Sequence, residues 1–276
     1  MDIVQAEKIF VQRMQSRNLS KRTIDNYASQ IRCFLREFKD RDRARNITAD
    51  EIEKYLLLKT MVNSRKHSRC AIQSFYDLVI GQPMKLNHIP WPKKDKKLPI
   101  VLSQDEIQRM FDVCENLKHK TILAVLYSAG LRVSELINLQ WRHLDRSRGV
   151  INIIGAKGNK DRQVPLPESL IIVLEKYWLA YKTKNYIFSG QFGEQYSDRS
   201  VGEVVKQLAS KAGINKRVWT HLLRHCSFTH MVEGGTDIPL ISRIAGHSHV
   251  KTTNIYLHLS HNLISKIVSP LSKIQL

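Results

Sequence analysis

From Trp219 to Tyr256 the chain reads WTHLLRHCSFTHMVEGGTDIPLISRIAGHSHVKTTNIY. This stretch gathers His221, Arg224, His225, His230, Arg243, His247 and Tyr256. Its pattern predicts helix, broken at Glu233-Gly234-Gly235 and again at Gly246. His221 and Arg224 are spaced to share one helical face. His247 and Tyr256 follow the breaks, so the chain can fold them back toward that face. Cations and hydrogen-bond donors beside a tyrosine suit a phosphodiester attacked by a phenol oxygen.

The composition points to a polyanionic partner. Lys and Arg outnumber Asp and Glu by 44 to 25, giving a net charge of +19 spread along the chain rather than held in a tail. A folded, strongly basic protein most often faces nucleic acid; a ribosomal or anionic-membrane partner is the lesser alternative. The 276 residues can bury one large core or two smaller ones, and the 42% apolar share is ordinary for a globular protein. Cys33, Cys70, Cys114 and Cys226 are scattered without a CxxC pair, so neither a zinc site nor a disulfide framework is expected. No run has the length of a membrane span and the N-terminus lacks a signal-like apolar core, so a cytoplasmic, nucleoid-associated protein is expected.

Upstream, residues 1–81 read as helices throughout. Ile24, Tyr27, Ile31, Phe34, Leu35 and Phe38 recur at helical spacing behind Ser20, a candidate N-cap. Thr48 and Glu51 form a capping-box pattern, and a further helix is expected from about Asn63 to Val79. Arg22, Arg32 and Arg36 stand off the apolar stripe and are candidate phosphate contacts, although a solvated face explains any one of them. The prolines and lysines of 82–100, including Lys93, Lys94, Lys96 and Lys97, disfavour regular structure. They suit a basic linker along a DNA backbone or, equally, a plain tether.

Ser103 and Glu106 form a second capping box and open the next domain, 101–276. Ile122, Leu123, Val125, Leu126 and Ala129 make a buried helix that Gly130 ends. Arg132 then starts a new apolar helix, where the fold can aim it into a cleft. Val150 to Ile154 and Arg162 to Leu166 read as a hairpin with Lys157 at or near its tip. Helices are expected at 167–181 and 198–212. A last amphipathic helix at 260–272 carries Leu263, Ile264, Ile267 and Val268.

The sequence lacks HExxH, GxxxxGK[ST] and GxSxG patterns. Tyrosine can serve as the nucleophile instead, if neighbouring cations or a base help remove its proton. Arg132 and Arg224 are the candidate stabilisers of transition-state charge, being permanently cationic and bidentate. Lys157 can protonate the departing 5′ oxygen, with Lys160 as second choice and as a DNA-binding candidate. His221 and His247 can donate to the phosphate or carry the tyrosine proton. Each residue taken alone is weak evidence; the ordered set is specific.

That set resembles the tyrosine recombinase/integrase family. The resemblance rests on Gly130-Leu-Arg132-Val-Ser-Glu135-Leu, Gly155-Ala-Lys157-Gly-Asn-Lys-Asp-Arg162-Gln-Val-Pro165-Leu, His221-Leu-Leu-Arg224-His225, Ala245-Gly-His247-Ser and Thr252-Thr-Asn-Ile-Tyr256. It spans residues 95–260 strongly and the N-terminal region only in position and helical character. Thr220 before His221 and Ala245 before Gly246 depart from common family residues without touching a catalytic position.

The resemblance implies a fold that is mainly α with a small β-hairpin or antiparallel sheet, arranged as a two-domain DNA clamp. An all-helical, SAM-like core-binding domain at 1–81 would precede an α+β catalytic domain. Arg132, Lys157, His221, Arg224 and His247 would form the site, Tyr256 would be the nucleophile, and Glu135 would help orient the site beside Arg132. His225 would be structural, and Cys226 beside it is expected to be core packing. A 3′-phosphotyrosyl intermediate would conserve bond energy, so neither cofactor nor metal is implied. Members act as a homo-tetramer on two double-stranded DNA sites through a Holliday junction, and 260–272 resembles the C-terminal helix that they dock on a neighbour. Two other classes compete: a type IB topoisomerase-like nicking-resealing enzyme and a non-catalytic DNA-binding regulator. Tyr256 is expected to be mobile without DNA, and the sequence leaves open whether it rests docked in the site or withdrawn from it.

Overall fold

The computed structural model describes residues 3–39, 44–93, 100–155, 161–190, 193–247 and 250–256. The chain divides into two compact units, 1–97 and 98–276.

The first unit is helical. α1 spans Ile3–Ser16, α2 Lys21–Glu37, α3 Ala49–Leu57 and α4 Val62–Phe75. Ser20 caps α2 by accepting the Thr23 N–H, and Thr48 with Glu51 forms the reciprocal box expected at the start of α3. The apolar stripe of α2 is buried at Ile24, Ala28, Ile31, Phe34 and Leu35. It packs with Phe10, Ile52, Phe75 and Tyr76 into one core. The helix expected to Val79 instead widens into a π-helical turn at Tyr76–Ile80, ended by Gly81 at φ 73°. Tyr76 is buried there and donates its hydroxyl to the Ala44 carbonyl at 2.8 Å.

The beginning of the expected linker is packed onto this unit. Buried Arg69 donates to the carbonyls of Leu86 and Ile89, both at 2.9 Å. Its guanidinium lies 3.9 Å from the centre of the Trp91 ring. Leu86 and Ile89 are buried. Proline and charge runs in the sequence mark an irregular backbone; they do not report that an arginine collects its carbonyls.

The second unit contains α5 (Gln104–Asp112), α6 (Leu117–Ala129), α7 (Val133–Ile137), β1 (Leu144–Asp145), β2 (Val150–Ile153), β3 (Arg162–Pro165) and α8 (Glu168–Tyr181). α9 (Asp198–Lys211), α10 (Thr220–Glu233), α11 (Ile238–Ala245) and α12 (Val250–Thr253) follow. The Ser103–Glu106 box caps α5 as expected. The expected hairpin is an antiparallel sheet of order β1-β2-β3, with Ile153 opposite Arg162 and Leu144 opposite Ile151. Short β1 lacks the run of apolar alternation that would reveal it in sequence.

Ile151 and Ile153 point inward from β2, where they join Ile122, Leu126, Leu136, Val164, Leu223 and Phe228 in a single core. The two predicted breaks occur. Gly234 caps α10, Gly235 has φ 92°, and Gly246 ends α11 in the left-handed conformation at φ 61°. Among the described residues no helix is long and apolar enough to cross a membrane. The expected helix at 260–272 lies outside the described residues, as do Lys94, Lys96, Lys97, Lys157 and Lys160.

Candidate active site

The site is built where α6 ends. Gly130 closes α6 at φ 58°, and a Cβ added there would lie 2.7 Å from the Phe228 ring on α10. Only glycine allows both the turn and this approach. Two residues later Arg132 stands at the N-cap of α7. Its backbone N–H donates to Glu135 Oε2 and its guanidinium to Glu135 Oε1, each at 2.8 Å.

Glu135 is the hub of a buried cluster. Arg162, at the start of β3, donates to both Glu135 oxygens at 2.7 Å. Arg224, from the second turn of α10, lies 3.9 Å from the same carboxylate. Burial by itself would raise the Glu135 pKa. Hydrogen bonds from Arg162 and Arg132, with the charge of Arg162, outweigh it and bring the carboxyl down to about 2. One carboxylate against three guanidiniums leaves the cluster electropositive.

The same arginines collect the end of α11. Arg162 Nε donates to Ile244 O at 2.7 Å, Arg132 reaches Ala245 O at 3.4 Å, and Arg224 also donates to Ala245 O. These carbonyls have no partner within their own helix, and cations suit a helix C-terminus. The contact fixes the segment that turns at Gly246 and delivers His247. Arg224 also donates to Gly130 O at 2.5 Å, which closes the link between α6, α10 and α11. Its burial, then the nearby Arg132 charge, lowers its pKa to about 10, so it stays cationic at neutral pH. The Arg132 side chain keeps 24% of its exposure, against 6% for Arg162 and 1% for Arg224. Arg132 is therefore the guanidinium of the three most open to a ligand.

Tyr256 is docked in this site. It is fully buried, with its ring centre 5.5 Å from Phe228, 5.8 Å from His225 and 6.2 Å from His247, on which it stacks at 15°. Of the two positions that the sequence left open, docked and withdrawn, this conformation is the docked one. The phenol ring completes the apolar wall around Phe228, and that burial favours the docked position. Burial raises the Tyr256 pKa more than the charges of Arg224 and Arg132 lower it, so the hydroxyl is protonated at neutral pH. His247 is pushed down to about 4 by burial, then by Arg224 and Arg132. His225 reaches about 4 by burial, then by His221 and Arg224. Both rings are neutral at pH 7 and can accept a proton. His221 is exposed at the outer end of α10, with its ring 4.6 Å from that of His225. Cys226 is buried and accepts the Leu102 N–H at 3.2 Å, a packing role as expected.

The structure thus brings together Arg132, Glu135, Arg224, His247 and Tyr256, with His221 on the same helix as Arg224. The described ends of the Lys157 loop are joined by the Gly155 N–H donating to the Asp161 carboxylate at 2.9 Å. Among the DNA-binding candidates, Arg22, Arg36 and Lys93 are exposed. Arg32 is paired with Glu7 at 2.5 and 3.1 Å, so part of its charge is already committed. Sequence reasoning assigned no role to Arg162 or Thr253, although both lie inside the quoted motifs. Thr253 Oγ1 contacts His247 Nδ1. An arginine at the first position of a strand that returns toward the core was the available signal for Arg162.

The sequence profile described as "Phage integrase family" matches residues 101–262, and that of the N-terminal SAM-like domain of phage integrases matches residues 8–86. Tyrosine recombinase XerD of Oceanobacillus iheyensis is 34% identical over 269 residues, covering 88% of this chain and 90% of the relative. A crystal structure of XerA recombinase aligns over 96% of this chain and 97% of its own, with 29% identity and a TM-score of 0.57. A lambda integrase tetramer bound to a Holliday junction shares the fold at a TM-score of 0.79, with 17% identity and coverage of 93% and 77%. The order of Arg132, Arg224, His247 and Tyr256, their convergence in space and these matches agree: the chain belongs to the phage integrase family of tyrosine recombinases.

Proposed function

We propose that this protein is a site-specific DNA recombinase in which Tyr256 is the nucleophile. The observation that carries the reading is the docking of Tyr256 beside neutral His247 and His225, within electrostatic range of Arg224 and Arg132. Such a site offers a nucleophile, proton acceptors and fixed positive charge in one place.

Arg132 and Arg224 hold the non-bridging oxygens of a backbone phosphate, with His221 and His247 as further donors. Tyr256 Oη attacks phosphorus while its proton passes to a neighbouring imidazole. The bond from phosphorus to the 5′ oxygen breaks, and Lys157 protonates that oxygen. The products are a 3′-phosphotyrosyl enzyme and a free 5′-hydroxyl. The 5′-hydroxyl of a partner strand then attacks the linkage and releases Tyr256. The number of phosphodiester bonds is unchanged, so no external energy source is needed.

Arg22, Arg32, Arg36, Lys93, Lys94, Lys96, Lys97 and Lys160 contribute backbone contacts, those of Arg32 requiring exchange of its Glu7 partner. The protein works as a homo-tetramer on two synapsed duplexes, as the lambda integrase tetramer on its Holliday junction supports, with 260–272 docking on a neighbour. It acts in DNA integration and excision or in chromosome-dimer resolution, on nucleoid DNA in the cytoplasm. Kinship with XerD sets the topoisomerase-like alternative aside.

A nicked duplex carrying the target site tests the nucleophile, because the short cut strand diffuses away and traps the covalent complex. Wild-type protein is expected to become attached to DNA, and Tyr256→Phe is not. Equal trapping by Tyr256→Phe overturns the assignment. Exchange between two duplex sites, against relaxation of one supercoiled plasmid without exchange, separates recombination from simple nicking and resealing.

A further inference from the structure

We propose that Arg162 is a positioning residue for strand cleavage: it holds Glu135 so that Arg132 keeps hydrogen-bond donors free for the scissile phosphate. This inference rests on the recombinase reading of the site and adds a residue and a role to it.

Three observations carry it. First, Arg162 is a buried arginine that engages both Glu135 oxygens at 2.7 Å, while Arg132 shares one of them through a single guanidinium nitrogen at 2.8 Å. A fork-to-fork pair is the strongest arrangement a carboxylate can make with one arginine. Arg162 therefore has the stronger hold on Glu135, and Arg132 the weaker.

Second, the competition has a chemical consequence. Without Arg162 the carboxylate is released to turn fully onto the Arg132 guanidinium, from which it now accepts one hydrogen bond, on an oxygen that Arg162 shares. Arg132 would then be paired and neutralised, and Arg132 is the most exposed guanidinium of the cluster. A phosphate would have to displace Glu135 before binding.

Third, Arg162 connects the carboxylate to the nucleophile's end of the site. Its Nε donates to Ile244 O at 2.7 Å, just before the turn at Gly246. A Cβ added to Gly246 would meet Arg162 Cδ at 3.0 Å. One rigid guanidinium thus spans β3, α7 and the carboxyl end of α11. A lysine keeps the charge but cannot make three directed bonds from one planar group.

The bland alternative is that Arg162 only neutralises Glu135 and holds β3 in place. The trapping assay on the nicked duplex, at saturating DNA, distinguishes the two, because burst amplitude reports the folded fraction and the rate constant reports chemistry. Arg162→Gln and Arg162→Lys are both expected to lower the cleavage rate constant by about 10- to 100-fold, the loss usual when a group that orients an active-site residue is removed. DNA affinity should stay within about 3-fold, because Arg162 is buried and makes no contact with the backbone itself.

In a Glu135→Gln background the further loss from Arg162→Gln should shrink to less than about 3-fold, since the two residues act as one unit. A wild-type rate constant in Arg162→Lys overturns the proposal, as does a variant losing amplitude with its rate constant intact. Additive losses in the double variant overturn the path through Glu135. Failure of the recombinase reading is seen separately, as covalent trapping that survives Tyr256→Phe.

Discussion

Thr253 Oγ1 lies 2.9 Å from His247 Nδ1, so the residue that closes α12 holds the imidazole next to Tyr256. Thr253 is completely buried. The contact stops rotation of the ring and ties the protonation of Nε2 to the direction of the hydroxyl. Thr253→Val keeps the shape and removes the bond. We expect its cleavage rate constant to fall about 10- to 100-fold, with Thr253→Ser restoring most of it. Normal cleavage by Thr253→Val would show that stacking on Tyr256 orients the ring by itself.

Glu135 is ionised, buried and faced by three arginines. Removing one member of such a cluster leaves uncompensated charge in the interior. Glu135→Gln should destabilise the catalytic unit by about 3–5 kcal/mol. Urea unfolding of the full chain, followed by a probe in that unit, measures it. An unchanged midpoint would mean that the arginines find other partners.

Two glycines with the same backbone hand should respond differently. Gly130 and Gly155 have φ 58° and 65°. A Cβ at Gly130 meets the Phe228 ring at 2.7 Å, whereas at Gly155 nothing lies within 4 Å. Gly155→Ala should cost roughly 1–2 kcal/mol, the strain of the left-handed conformation. Gly130→Ala should add an overpacking penalty of about 1–3 kcal/mol. Equal losses in denaturant unfolding would show that α10 shifts freely to make room.

Acid should destabilise the site. His225 and His247 titrate near 4 in the fold, below the ordinary 6.5. Between these values the unfolded chain binds more protons than the folded one, so stability falls as pH drops through that window. Glu135, near 2 in the fold against 4.5, extends the loss to lower pH with the same sign. Melting temperature is therefore expected to be nearly level between about pH 7 and 8 and to decline from about pH 6.5 downward. His225→Gln should flatten part of that slope. A melting temperature that rises on acidification would contradict the assigned burial of these rings.

Much of the architecture was legible because it depends on local rules. The Ser103–Glu106 and Thr48–Glu51 boxes, the stripe of α2 and the stop at Gly130 each follow from neighbouring residues. The turn at Tyr76–Ile80 was not legible, nor was β1, because both depend on what packs against them. Residues 82–91 carried the signal of an irregular backbone, but their attachment depends on Arg69, which is distant in sequence.

The site divides in the same way. By itself the sequence determined which candidate residues are present and in what order, Arg132, Lys157, His221, Arg224, His247 and Tyr256, with breaks between α10, α11 and α12. Spacing encodes order and helical phase, because both are properties of the covalent chain. Tertiary structure decided which charges face each other. It made Glu135 the shared partner of Arg132 and Arg162, set three arginines on the last carbonyls of α11, and left Arg132 the most open of them. It also decided that burial outweighs nearby positive charge at Tyr256, leaving the phenol protonated. Those outcomes depend on distance and desolvation across elements far apart in the chain, and no local pattern carries either quantity.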